Sequence, residues 1–325
     1  MRVCIVGAGA VGGFLGTRLA ASGEATVCAL ARGQTLQALR SHGWRLQQNG
    51  AQLQAPAVAA DDPRQLGVQD LVVIAVKGQS LPELAPTLVA LLGPQTVVLP
   101  AMNGVPWWFT APEIGAEPLQ SVDPGGRIAR AVPMHHVVGC VVSVSAAVAE
   151  PGVVAHAAGC GLTIGEPSGE DSERLRRVAA LLSAAGFEVA RSSRIRRDLW
   201  YKLWGNLTSN PVSAITGATM AGILDDELVR EFCAGAMREA AVIGRRIGCD
   251  IEQTPADRME VARKLGAIKT SMLQDAQAGR SIELDSIVGA VREIGQRIGV
   301  ATPAIDAIFG LARLYGRTHG LYPRG

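Results

Sequence analysis

"RVCIVGAGAVGGFLGTRLAASG", residues 2–23, decides the fold. Its first five residues are a short apolar run with β-branched members, suited to a buried parallel strand. Gly7, Gly9 and Gly12 follow in a G-x-G-x-x-G spacing, and Val11 to Ala21 reads as a helix stopped by Gly23. "ATVCAL", residues 25–30, supplies a second strand. A lone glycine triplet is weak evidence, but between a strand and a helix at the start of a βαβ unit it has a physical meaning. Gly7 permits the tight turn, Gly9 removes a side chain where pyrophosphate must approach the backbone, and Gly12 lets helix and strand pack closely. The helix N-terminus offers free N–H groups and a partial positive charge to the phosphates. The loop Gly7, Ala8, Gly9, Ala10, Val11, Gly12 is therefore the candidate pyrophosphate site.

The second strand runs into "ALARG", residues 29–33. An NAD site commonly places an acid there to hold the ribose 2′-OH, whereas this chain places Arg32. The forked donors and permanent charge of arginine suit a 2′-phosphate, which points to NADPH; a solvated loop arginine is the plainer alternative. "DLVVIAVKGQS", residues 70–80, is a third strand over Leu71 to Val76, followed by Lys77. "QTVVLPAMNGV", residues 95–105, is a fourth that leads to Asn103. Ligands of open α/β sheets sit beyond the carboxyl ends of the strands, where Lys77 and Asn103 stand. Either could be a plain loop residue; at the ends of two following strands they strengthen one another.

Residues 137–166 are β-rich and broken by Pro-Gly and Gly, with "AEPGVV" as a hairpin turn. They read as an antiparallel extension that closes the first domain. "SERLRRVAALLSAAG" is an amphipathic helix and "FEVAR" a short strand, so the boundary is expected near Ser192–Ser193. Beyond it, the apolar spacing is helical throughout, and the closing "YGRTHGLYPRG" reads as a tail. The expected fold class is α/β: an N-terminal Rossmann-type dinucleotide-binding domain, residues 1–192, followed by an all-α domain, residues 193–325.

"DLWYKLWGNLTSNP", residues 198–211, reads as a helix ended by Pro211. Lys202, Asn206 and Asn210 fall at i, i+4 and i+8 and span about 80° of arc. A solvent face would favour Glu, Lys and Arg over Asn, a poorer helix former. Gly205 beside the stripe leaves room for something to approach. A lysine with amide neighbours is a candidate carbonyl polariser and proton donor, with an ordinary solvent face as the alternative. "SMLQDAQAGRSIELD", residues 271–285, forms a second cluster with Ser271, Glu283 and Asp285 around a break at Gly279. Ser271 could equally be a helix cap, and Glu283 a first-turn acid.

Composition narrows the classes. A 325-residue chain with 48% hydrophobic residues has room for two domains and large cores. Net charge of +2 and 4% aromatics give no footprint for nucleic acid. No apolar run approaches the roughly 20 residues of a membrane span, and no signal peptide is visible. The six cysteines are widely spaced without a C-x-x-C pair, which argues for free thiols in a reducing cytoplasm rather than a metal or redox site. Apolar helix faces of the second half are compatible with a homodimer.

Taken together, "GAGAVG", "LARG", "VKGQ", "MNGV", "LWYKLWGNLTSNP" and "SMLQDAQAGRSIELD" resemble the ketopantoate reductase (2-dehydropantoate 2-reductase) family, in order and spacing over nearly the whole chain. The last two motifs are the specific ones. The resemblance implies that Gly7 to Gly12 bind the NADPH pyrophosphate and Arg32 its 2′-phosphate. It implies that Lys77 and Asn103 lie near the nicotinamide end, that Asn103 also touches substrate, and that Ala147 makes a backbone contact to cofactor. Lys202 would be the general acid, with Asn206, Asn210 and Ser271 holding substrate. Glu283 would stand where cofactor and substrate meet and help set the charge on Lys202. The implied reaction is hydride transfer from NADPH to the C2 carbonyl of a 2-oxo acid, in pantothenate and coenzyme A synthesis. Two positions depart from the family pattern: Ile268 and Met220 stand where asparagines are expected. "LQSVDPGGR", residues 119–127, is a further unfamiliar loop. These departures keep open a related reductase of another 2-oxo acid; a non-catalytic NADPH sensor is the alternative of a different class.

Overall fold

The computed structural model describes residues 1–264 and 266–323. In chain order its elements are β1 (Arg2–Val6), α1 (Ala10–Ser22), β2 (Thr26–Leu30), α2 (Gly33–His42), β3 (Trp44–Gln48), β4 (Ala51–Ala55), β5 (Val58–Ala60), β6 (Leu71–Ile74), α3 (Leu81–Leu88), β7 (Val97–Pro100), α4 (Arg127–Ala131), β8 (Gly139–Glu150), β9 (Val153–Gly165), α5 (Glu173–Ala184) and β10 (Glu188–Arg191). There follow α6 (Ile195–Thr216), α7 (Met220–Asp225), α8 (Glu227–Arg246), α9 (Pro255–Arg263), α10 (Ser271–Gln277), a π-helical turn over Asp285–Gly289, α11 (Ala290–Arg297) and α12 (Pro303–Thr318). The chain divides into two compact units: residues 1–102 with 127–198, and residues 103–126 with 199–325. Residues 103–126 thus pack with the helical unit, although they precede the boundary expected near Ser192.

The first unit holds a parallel sheet in the order β5-β2-β1-β6-β7. β1 is flanked by β2 and β6, so the chain direction across the sheet reverses beside it, which is where such sheets bind ligands. Val3 to Val6 and Leu71 to Ile74 are buried on both faces, which explains their unbroken apolar runs. A second sheet runs β10-β9-β3-β4, with β8 antiparallel to β9. The hairpin expected at "AEPGVV" is the β8–β9 turn, but the sheet is mixed, because β3 and β10 pair with β9 in parallel. Helix α1 packs between the two sheets through small residues: a Cβ at Gly13 would lie 2.5 Å from Val154, and one at Gly16 2.5 Å from the Trp44 ring. One core, including Phe14, Leu15, Trp44, Leu46 and Leu162, joins both sheets.

The second unit is helical among its described residues. Helix α6 does not end at Pro211 but runs through it to Thr216. Proline in a helix interior costs roughly 3 kcal/mol. Trp200, Leu203, Trp204 and Leu207 are all buried on this helix, at roughly 1.5–3 kcal/mol for each large apolar side chain, so tertiary packing outweighs the breaker. The indoles of Trp200 and Trp204 also donate to the carbonyls of Ala240 (3.2 Å) and Met237 (2.6 Å) on α8. The helical pattern of residues 256–279 is two helices, α9 and α10, with Leu265 outside the described residues. The expected tail is packed instead: α12 continues to Thr318, Leu321 is buried, and its carbonyl accepts from Ile282 N at 3.0 Å. Arg324 and Gly325 lie outside the described residues. No helix among the described residues is long and apolar enough to cross a membrane.

Candidate active site

In the first unit the glycine loop follows β1. Gly7 has φ +89°, which only glycine adopts readily, and its N–H donates to Leu30 O at 2.9 Å. A Cβ there would lie 2.6 Å from Val76 Cγ1. At Gly12 a Cβ would run into the carbonyl oxygen of Gly7. Gly9 differs: it is the N-cap of α1, and a Cβ built on it meets nothing within 4 Å. The turn and the packing explain Gly7 and Gly12, whereas Gly9 faces open space. The first turn of α1 carries no acid, so nothing offsets the positive end of the helix. Ala8 is buried, and Ala10 and Val11 are half-buried.

Arg32 is the N-cap of α2, two residues beyond β2. It is exposed, and its guanidinium has no hydrogen bond or ion pair to any described residue. An open glycine face, an uncapped helix end and an uncommitted guanidinium fit a phosphorylated dinucleotide. Lys77 follows β6 and precedes a short 3₁₀ turn, half-buried. Ala147 lies elsewhere in this unit: it is exposed on β8, opposite Ala155 in the second sheet.

In the second unit Lys202 Nζ donates to Asn103 Oδ1 at 2.8 Å, joining residues 99 positions apart in sequence. The arm that brings Asn103 there is fixed in several places. Val105 N donates to Ser286 O at 2.7 Å, and Gly104, at φ +82°, lies against the same residue. Any side chain at Gly104 would come within 2.5 Å of Ser286 O. Ser286 belongs to the π-helical turn, an uncommon element concentrated at functional sites. Farther along the arm, Gln120 N, Ser121 N and Ser121 Oγ all donate to the Glu293 carboxylate at 2.6–2.8 Å. Arg297 donates to Glu117 O, Pro118 O and Glu293, each at 2.6 Å. Burial opposes ionisation of Glu293, but the donors from Ser121, Gln120 and Arg297 outweigh it and hold its carboxyl below the ordinary range. The unfamiliar loop at 119–127 is thus part of the strut that carries Asn103.

Along α6, Asn206 is half-buried and its amide has no partner among the described residues. Asn210 is 4% exposed, and its Nδ2 makes no hydrogen bond. A buried amide donor without a partner costs about 1–3 kcal/mol. Ser209 has instead turned back to Gly205 O at 3.0 Å. Ser271 is the exposed first residue of α10; Thr270 is the cap, its hydroxyl accepting from Leu273 N. Glu283 is half-buried, two residues ahead of the π-helical turn. Beside it, Asp285 accepts from Tyr322 Oη at 2.7 Å, and burial raises its carboxyl above the ordinary range. The two departures from the expected asparagines are joined by backbone: Met220 N donates to Ile268 O at 2.9 Å. Met220 is buried and Ile268 exposed.

The structure therefore brings Lys202 to Asn103 directly and sets Asn206 and Asn210 along the same helix. Ser286 and Tyr322 had no signal in the sequence, because the π-helical turn and the packed C-terminal segment define them.

Comparison with known proteins shows the family of the chain. Residues 3–169 match the family model described as ketopantoate reductase PanE/ApbA, and residues 194–316 match its C-terminal counterpart. The chain belongs to the ketopantoate reductase family. It is 40% identical to a 2-dehydropantoate 2-reductase of Mesorhizobium japonicum, over 99% of this chain and all of that one. A solved Ralstonia solanacearum MolK2 structure assigned as a ketopantoate reductase is 52% identical, with TM-score 0.95 and 99% coverage of both chains. A PanE/ApbA family ketopantoate reductase from Ralstonia eutropha JMP134 is 27% identical, with TM-score 0.84, covering 98% of this chain and 100% of that one. The family's fold, a Rossmann-like domain followed by a helical one, is the fold described above.

Proposed function

We propose that this protein reduces 2-dehydropantoate to pantoate with NADPH, as a cytoplasmic enzyme of pantothenate and coenzyme A synthesis. The observation that carries the reading is the Lys202–Asn103 hydrogen bond on a helix that also presents Asn206 and the unsatisfied amide of Asn210. In this reading the first unit supplies the phosphate-binding residues of the cofactor, and the second supplies the substrate residues together with Asn103 and Glu283.

When bound, NADPH supplies the hydride. Gly7 to Gly12 would hold its pyrophosphate, Arg32 its 2′-phosphate, and Lys77, Asn103, Ala147 and Glu283 would contact the cofactor. Lys202 donates from Nζ to the C2 carbonyl oxygen and delivers a proton there as charge develops. Asn103 keeps the ammonium in place through its Oδ1. Asn206, Asn210 and Ser271 bind the rest of the substrate, so Asn210 Nδ2 gains the partner it lacks. Glu283 supports the charge on Lys202. Lys202→Ala tests the assignment: turnover should fall by about 10²–10⁴-fold, the usual worth of a positioned acid. NADPH affinity, followed by fluorescence titration, should stay within about twofold, since Lys202 is assigned no contact to the phosphates that dominate cofactor binding. Turnover retained in that variant would remove the acid assignment.

Met220 and Ile268 favour a second reading of the substrate alone. They place apolar side chains where amides are expected, which suits a 2-oxo acid with fewer hydroxyl groups than ketopantoate. The chemistry is the same in both readings.

A further inference from the structure

Arg258 has the charge and setting of an anion-binding residue, and nothing above assigns it a role. It lies on α9, and its guanidinium rests flat against α6 at Gly205. A Cβ at Gly205 would meet Nη2 at 3.2 Å, Nε at 3.4 Å and Cζ at 3.5 Å, so the whole fork covers the bare glycine. One turn back, the Tyr201 ring holds the same group from below, 5.0 Å from Cζ, and Tyr201 Oη is itself fixed by Gln253 Oε1 at 2.7 Å. The guanidinium is therefore preorganised by a ring and a glycine on the helix that carries Lys202.

What it lacks is an anion. Its Nε is buried and makes no hydrogen bond, and its side chain has no ion pair with any described residue. The acids beside it on α9 are engaged elsewhere. Asp257 closes the capping box with Thr254 N and Oγ1, and Glu260 faces Arg263 at 3.5 Å. A half-buried guanidinium with no acid paired to it among the described residues is an incomplete arrangement, and a planar carboxylate suits its terminal nitrogens with two parallel N–H···O bonds. Helical geometry sets Gly205 on the same side of α6 as Lys202 (i−3) and Ser209 (i+4). An anion on Arg258 would thus stand on the flank of the amide stripe, at the side away from Asn210.

We propose that Arg258 binds the carboxylate of the 2-oxo acid substrate and so selects for acids over neutral 2-oxo compounds. This rests on the reductase reading above. It also accounts for Gly205, whose missing side chain lets the fork lie on the helix within reach of the stripe.

The test is calorimetric titration of the NADP⁺-saturated full-length protein with oxamate, an unreactive 2-oxo acid mimic, and with its uncharged methyl ester. Arg258→Gln should weaken oxamate by about 10- to 100-fold, as for lost hydrogen bonds to a charged group, and leave the ester unchanged. Arg258→Lys keeps the charge but not the fork, and should restore only part of the affinity. If the Gln variant fails to fold, the Lys variant alone decides, by the same selective loss of oxamate. Equal oxamate binding by parent and variants would overturn the proposal. So would equal loss of oxamate and ester, which signals packing damage, or a parent that does not bind oxamate. Turnover of 2-oxo acids by the same preparations separates the two readings. Arg258-dependent oxamate binding without turnover would sink the reductase and leave the carboxylate site standing. Turnover indifferent to Arg258 would do the reverse.

Discussion

The glycine loop of the first unit and the amide stripe of the second are built by opposite means. The loop works through absent side chains: Gly7 for its turn, Gly12 for its contact with the Gly7 carbonyl, Gly9 for the open face beside α1. Its donors are backbone N–H groups that the helix start supplies to any phosphate. The stripe works through side chains gathered from afar, with Lys202 on α6 bonded to Asn103 on an arm held by Ser286 and Glu293. A backbone site is secured by the local fold and tolerates little change. A side-chain site can be re-specified one residue at a time, and Met220 and Ile268 are the positions that depart from the expected asparagines.

The comparison can be broken most severely at Gly12. Gly12→Val drives a branched side chain into the Gly7 carbonyl, so β1 and α1 cannot keep their spacing. The expected result is loss of NADPH binding together with a large fall in thermal stability, read by titration and melting; a variant that binds NADPH normally would show that the close approach is dispensable. Arg32→Ala should have a smaller, selective effect. NADPH should weaken by roughly 10- to 100-fold and NADH hardly at all, the loss expected for charge-assisted hydrogen bonds to the 2′-phosphate. Equal losses for the two would show that Arg32 does not contact that group.

Asn210→Leu probes the other side. Removing an unsatisfied buried amide should cost little stability or even raise the melting temperature, while the KM for the 2-oxo acid rises by about tenfold. A destabilised variant with unchanged KM would make Asn210 a structural residue. The smallest effect is expected at Glu293, whose carboxyl is held below its ordinary range. A depressed carboxylate stabilises above its unfolded-state pKa, and that contribution is lost as pH falls through the folded-state value. Glu293→Gln should therefore cost about 1–2 kcal/mol at neutral pH and progressively less as the solution is acidified below the ordinary carboxylate range. A pH-independent difference would assign the loss to packing.

How much of this was legible in the sequence follows from the same contrast. The β1–α1–β2 unit, the Lys77 and Asn103 strand ends and the Lys202 stripe are written in local spacing, so they could be read directly. Pro211 misleads because the burial of Trp200 and Trp204 lies outside any local rule. The C-terminal residues look like a tail until Leu321 and Tyr322 are seen to meet Ile282 and Asp285. β3 and β4, which pair next to β9, pass unnoticed because their alternation of polar and apolar residues is short. Arg258 and Ser286 carry no motif at all. Their meaning comes from Gly205 and Gly104, which the fold alone sets against them.

The most direct measurement is NADPH oxidation by the purified protein with ketopantoate beside a panel of other 2-oxo acids. The account predicts rapid turnover of at least one of them: ketopantoate by preference on the leading reading, a less hydroxylated acid if Met220 and Ile268 decide the substrate. Tight NADPH binding with no turnover of any member would contradict it and make the protein a cofactor-binding sensor.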